Sequence, residues 1–287
     1  MSSLPTRLKL VPTISMWVFV AAVFALLYVP LFILAAFSLN DSIIVALPFR
    51  GFSFEWYSAA LDDVDVREAV GNSLLVALAV VPLSVTVGTL AAFGLTRFRF
   101  RLKSAVAGLV GAPLVVSWLV MGVGALLLFS ALSIPLSLKT IGAVHIMASF
   151  PLVTAIVSAR LIRFDRSIEE AALDLGALPR TVLARIVLPQ LIPSLVASAL
   201  LVFAWSFNNF TLSFFTAGFE TTFPIWVYSN VEHARALPIV NAVSTFVLGV
   251  QILLTFLVWY LLRLRPGGRS AAAPLLPGLA TTERTDG

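Results

Sequence analysis

Residues 167–189 read SIEEAALDLGALPRTVLARIVLP, a charged, helix-prone island between long apolar runs. Charges at this density are expelled from hydrocarbon, so the island lies outside the bilayer while its neighbours lie within it. Locally it predicts two short helices joined at a glycine. Ser167 is placed to cap the first, with Glu170 completing a capping box. Helical spacing puts Ile168, Ala171, Ala172 and Leu175 on one face and Glu170 and Asp174 on the opposite side. Gly176 permits the left-handed turn that ends a helix, and Pro179 suits the first turn of the next. The second helix carries Val182, Leu183, Ile186 and Val187 along one side until Pro189 interrupts it.

The composition demands a membrane on either side of this island. Of 287 residues, 60% are hydrophobic and 11% charged, and the mean hydropathy is +1.02, leaving too few charges to coat a soluble globule. The fold class is therefore an all-α polytopic membrane protein. A crossing takes about 20 apolar residues, and six stretches qualify: 14–37, 69–95, 105–129, 140–159, 191–215 and 239–262. The first follows Arg7 and Lys9 as a signal peptide would, but its apolar core exceeds a secretory h-region and it reads as a retained anchor. This divides the chain into an N-terminal segment 1–13, a transmembrane domain 14–262 and a tail 263–287 rich in Pro, Gly, Ala and Thr, expected to be disordered. The absence of cysteine excludes disulfides and thiolate metal sites.

Basic residues fix the orientation. Fifteen of the 19 Lys and Arg residues fall at the N-terminus, in 97–103, in 160–185 or in the tail; only Arg50, Arg67, Lys139 and Arg235 occupy the alternate segments. By the positive-inside rule both termini and the 167–189 island are cytoplasmic. The net charge of +5 is a by-product of this asymmetry and calls for no nucleic acid.

Within the spans polar residues are scarce. GFSFEWY, residues 51–57, predicts a short interfacial helix with aromatic anchors on the outer side. The third span carries Pro113 among glycines, a bent and closely packed helix. His145 is the ionisable group within a span core; with no carboxylate nearby it makes a poor proton relay and reads as a packed, hydrogen-bonded neutral imidazole. In the fifth span, Trp205, Ser206, Asn208 and Asn209 put four polar-capable side chains in five residues. Unpaired amides in hydrocarbon cost several kcal/mol, so these face another helix or a hydrated path; they are the candidate translocation path. No Gly-Lys pair is available for a phosphate-binding loop and no HExxH is present. Metal-ligating and catalytic residues are therefore assigned to none of the chain. It reads as a non-catalytic transport subunit whose energy source is another polypeptide.

The island also matches a known pattern. Glu170-Ala171-Ala172, Gly176 after three intervening residues, then Ile186 and Leu188-Pro189, together with Asp174, resemble the EAA loop of ABC importer permeases. The runs GFSFEWY, NSL at 72–74, LAAFGLTRF at 90–98, 145–151, FPIWVYS at 223–229 and LPIVNAVST at 237–245 follow in the order of spermidine/putrescine permeases of the C type. This resemblance implies six transmembrane helices in the type I importer fold, set in a bacterial inner membrane. It implies as partners a cytoplasmic ABC ATPase dimer, which binds the ATP and Mg that this chain does not, a second permease subunit and an external or periplasmic substrate-binding protein. It also implies that the loop docks on the ATPase. One departure bears on the solute: many relatives carry an acidic pair where this chain has Asn208-Asn209, which weakens direct recognition of a cation there. An ion- or proton-coupled secondary transporter is the competing class, and it would need His145 as its coupling group.

Overall fold

The computed structural model describes residues 7–42, 49–233 and 236–264. Among them the structure is helical, apart from one antiparallel bridge between Asn40 and Phe52. The expected tail 263–287 lies almost wholly outside the described residues, as do residues 1–6.

Helix α1, Arg7–Phe37, is followed by the short α2, Glu55–Asp62. The aromatics of 51–57 divide between two tasks. The Trp56 indole donates to the Asn40 carbonyl at 2.9 Å and the Tyr57 hydroxyl pairs with Ser38 at 2.8 Å, which fastens α2 to the end of α1; Phe52 and Phe54 stay exposed. Helix α3, Val64–Arg97, opens on Asp63, whose carboxylate accepts from the amides of Asp65 and Val66. Next come α4, Lys103–Val115, α5, Trp118–Ala131, and α6, Leu138–Ile162.

The third span departs from expectation. It is not one helix but the pair α4 and α5, bent by 103° at Val116 and Ser117, both extended. Pro113, with its missing amide, lies just ahead of the bend. Among the described residues five helices are individually long and apolar enough to cross a membrane, and this bent pair makes up to six.

Helix α7, Ser167–Asp174, and α8, Pro179–Val182, form the island, and a π-helical turn, Leu183–Val187, leads into α9, Leu188–Asn208. Pro189 therefore does not end the second island helix, which runs on into the fifth span. The reason is local: the Leu188 amide reaches back five residues to the Leu183 carbonyl, and the widened turn absorbs the proline ring that would clash in a regular α-helix. The rest of that span is α10, Phe210–Thr216; α11, Phe223–Glu232, and α12, Leu237–Leu264, complete the chain.

The centre of the bundle is the pairing of α3 with α6 and α9. Small residues make it possible: Ala69, Ser73, Ala77, Ser84, Gly88 and Ala92 are buried along one stripe of α3, the spacing that lets membrane helices approach closely. Ser84 and Ser149 join their hydroxyls across the seam at 2.8 Å. At Gly88 a Cβ would stand 2.6 Å from Val153 Cβ and 2.7 Å from the Phe150 carbonyl oxygen.

Gly88→Ala should therefore force α3 and α6 apart and destabilise the bundle by about 1–3 kcal/mol. Gly94→Ala, where a Cβ would meet nothing within 4 Å, is the matched control. Thermal unfolding of the purified chain in detergent should show a lower midpoint for the first variant and none for the second.

Candidate functional site: the helical elbow and the broken fifth span

The island folds as an elbow whose corner is Gly176. It has φ +84, and around it the Gly176 amide bonds to the Leu173 carbonyl at 2.9 Å and the Ala177 amide to that of Ala172 at 3.0 Å. This is the double hydrogen bond of a Schellman cap, which needs a left-handed residue at that position.

The start of the elbow differs from the expected capping box. Ser167 is the first helical residue, and the Asp165 carboxylate accepts from the Ser167 amide at 3.0 Å. That backbone bond, with one from the Ser167 side chain, holds the Asp165 carboxyl below its ordinary value. Its contribution is therefore present at neutral pH and lost only as pH falls through that lowered value.

Glu170, Ala171, Asp174, Gly176, Leu188 and Pro189 are exposed, whereas Ala172 and Ile186 are half-buried and pack against the core that also takes Val182 and Val187. The expected apolar face is thus split. Ala172 turns inward, while Leu175 is 90% exposed and Ile168 is exposed beside it. A surface that mixes carboxylates, alanines and a bare leucine outside the bilayer has the make-up of a docking face.

Three residues that the sequence pattern did not single out tie the elbow to the bundle. Glu169 forms an ion pair with Arg97 at the end of α3, Arg166 donates to the Thr96 carbonyl at 3.1 Å, and the Arg97 guanidinium lies 5.7 Å over the Phe164 ring. In the sequence, Arg97 stands in a basic run whose evident role is topological; no local spacing links it to Glu169.

The polar run of the fifth span splits into two groups. Asn209 is buried and marks a break: its side chain accepts from the Leu212 amide at 2.9 Å and so caps α10. Ser206 is buried against His145, and Trp205 stands 5.3 Å from the imidazole and 5.7 Å from Trp118, the first residue after the α4–α5 bend. Both broken spans therefore meet at one cluster. His145 Nδ1 is 2.9 Å from Ser206 Oγ and Nε2 is 3.3 Å from Ser213 Oγ. Ser213 donates its proton to the Asn209 carbonyl, so it accepts from Nε2–H, and Nδ1 accepts from Ser206. This is the one-donor, one-acceptor pattern of a neutral imidazole. Ser213, four residues beyond Asn209 on the same helical face, is a partner the sequence could have offered.

Asn208 alone of the four faces outward. Its amide donates to the Ala204 carbonyl at 2.8 Å and to Gln251 at 3.2 Å. The two amides border a cleft of about 550 Å³ lined chiefly by apolar and aromatic side chains, among them Phe210, Phe223 and Tyr228.

Ser213→Ala should leave His145 Nε2 and the Asn209 carbonyl without that partner in a buried site, a loss of about 1–3 kcal/mol. It should appear as a lowered unfolding midpoint in detergent, while Asn208→Ala, at the exposed lip of the cleft, should change the midpoint far less.

Known proteins share this architecture. A family model described as the binding-protein-dependent transport system inner membrane component matches residues 84–265, a stretch that contains the elbow and the broken span. The chain is 36% identical over 247 residues to the putrescine transport system permease protein PotI of Escherichia coli K12, covering 83% of this chain and 87% of PotI. It is 33% identical over 240 residues to the spermidine/putrescine transport system permease protein PotC of Haemophilus influenzae, covering 83% of this chain and 93% of PotC. Among solved structures, a chain of a bacterial ABC transporter involved in the import of the acidic polysaccharide alginate superimposes with a TM-score of 0.68 at 16% identity, covering 92% of this chain and 100% of that one. A second structure, the bacterial alginate ABC transporter in complex with an alginate pentasaccharide-bound periplasmic protein, gives 0.68 at 14% identity over 88% of this chain and 94% of its own. With its helical spans in the type I importer arrangement and most of its length inside the matched region, the chain belongs to the family of binding-protein-dependent transport system inner membrane components, the multi-pass permeases of ATP-driven importers.

Proposed function

We propose that this permease carries polyamines, putrescine or spermidine, and that its elbow, residues 167–189, is where the cytoplasmic ATPase grips it. The solute assignment rests on one observation above others: the likeness to PotI and PotC, at 36% and 33% identity, extends over 83% of the chain in each case. The coupling assignment rests on the elbow itself, a rigid helix pair set on a Schellman glycine with Glu170, Asp174 and Leu175 turned outward.

The working importer in this proposal has a second permease subunit, an ATPase dimer that binds ATP and Mg, and a periplasmic binding protein that delivers the solute. Both termini and the elbow face the cytoplasm. Closure of the ATPases pulls the elbow, and the bundle rocks to open the other side of the membrane. Of the four polar residues of the fifth span, Asn208 is the one placed to meet a solute, in company with Gln251 and Tyr228 at the cleft. Asn209, Ser206 and Trp205 serve the path indirectly, by holding the break that forms its wall.

Two substitutions test the grip. Gly176→Val places a β-branched residue at φ +84, a conformation it resists, and should lower ATP-driven putrescine uptake into proteoliposomes by at least about tenfold. Glu170→Lys should reduce co-purification of the ATPase while leaving the unfolding midpoint of the chain unchanged. Full ATPase retention and full uptake in both variants would remove the elbow from the coupling mechanism. Uptake by the reconstituted importer of another solute, with none of putrescine or spermidine, would overturn the solute assignment alone.

A further inference from the structure

The elbow is tied to the bundle by contacts that its outward face does not use. Glu169 and Glu170 are neighbours, yet helical geometry turns them about 100° apart. Glu170 faces solvent, and Glu169 turns back to Arg97. The side chains of Arg97 and Glu169 are only 14% and 21% exposed, so their ion pair is sheltered from much of the screening that makes surface pairs weak. The same guanidinium lies over Phe164, which is buried in the α3–α6–α9 core, and Arg166 adds a hydrogen bond to the Thr96 carbonyl. All three contacts join residues 164–169 to the last turn of α3.

We propose that Arg97 and Glu169 are positioning residues for transport: their ion pair locks the elbow to the end of α3, so that elbow and α3–α6 core move as one body when the ATPases close. This rests on the elbow being the ATPase docking element. Without the lock, residues 163–166 between α6 and α7 are the compliant link, and elbow movement is absorbed there. ATP is then hydrolysed without moving solute. A purely structural role would instead lower stability and leave the ratio of solute to ATP unchanged.

The chain contains no cysteine, so spin labels can be placed at will. In the complete importer, with ATPase and binding protein in nanodiscs, labels at Leu173→Cys and at Arg99→Cys, two residues beyond α3, report the spacing between the elbow and the end of α3; both positions are exposed. That spacing should be the same in the nucleotide-free and vanadate-trapped states. In Glu169→Arg and in Arg97→Glu it should shift or broaden on trapping, and putrescine moved per ATP hydrolysed in proteoliposomes should fall about tenfold. The exchanged pair, Arg97→Glu with Glu169→Arg, should restore both to within about twofold. Glu169→Gln, which keeps shape and removes charge, should lie between and guards against a folding defect in the reversals. A spacing that already changes on trapping with the pair intact overturns the lock, as does a full putrescine-to-ATP ratio in reversals that retain the ATPase, or an exchanged pair that restores nothing. Full ATPase retention and full uptake in Gly176→Val and Glu170→Lys overturn the docking assignment itself, and the lock with it.

Discussion

A helix that breaks inside hydrocarbon frees amide and carbonyl groups that no water can satisfy, and this constraint accounts for where the chain keeps its polar residues. At the fifth-span break the Asn209 side chain takes up the Leu212 amide, and Ser213 takes up the Asn209 carbonyl. At the π turn, where the elbow leads into the fifth span, the Leu188 amide finds the Leu183 carbonyl, one residue farther back than usual. Just before α11, Asn72 donates to the Thr221 carbonyl and Ser73 accepts from the Phe223 amide. Thr140, at the start of α6, closes the end of α10 through the Thr216 carbonyl. At the fifth-span break and at the end of α10 a side chain thus replaces the lost helical partner, whereas the π turn and the α4–α5 bend are bridged by backbone hydrogen bonds alone.

The same economy explains the contrast between the two halves of the mechanism. The core pair α3 and α6 meets through small residues and one hydroxyl pair, a seam that holds its register because a methyl group added at Gly88 collides with the Phe150 carbonyl oxygen and Val153. The elbow, outside the membrane, is free to carry charge. It divides that charge between an inward residue, Glu169, which binds the bundle, and outward residues, Glu170 and Asp174, which remain open to a partner. His145, enclosed by Ser206, Ser213 and Trp205, belongs to the structural half: its hydrogen bonds bridge α9 and α10 across their break. It does not provide the coupling group a proton-driven carrier would need, in keeping with membership of an ATP-driven family.

Much of this was readable from residue types alone. Span positions follow from apolar length, and the elbow and its glycine corner follow from a pattern whose physical demands are local. What escaped the sequence was relational. The 103° bend in the third span depends on two extended residues, Val116 and Ser117, that carry no strong turn signal of their own. Continuity through Pro189 depends on a register shift that proline position does not encode, and the expected capping box lost to Asp165, a better acceptor two residues upstream. The four polar residues of the fifth span look alike in one dimension. Only the helix break at Asn209 shows that three hold the wall together and one looks outward. The Arg97 to Glu169 pair spans 72 positions, a separation at which sequence pattern carries no information about contact.

The uninterrupted run from Pro179 to Asn208, 30 residues, has a mechanical corollary. At about 1.5 Å per residue it is a rod about 45 Å long, with one end in the elbow and the other at the break beside His145. Tilting such a rod by about 10° about its elbow end sweeps the far end through about 8 Å. A modest tilt at the base is thus magnified at the break within the span, and the gearing ratio is written in the length of a single helix.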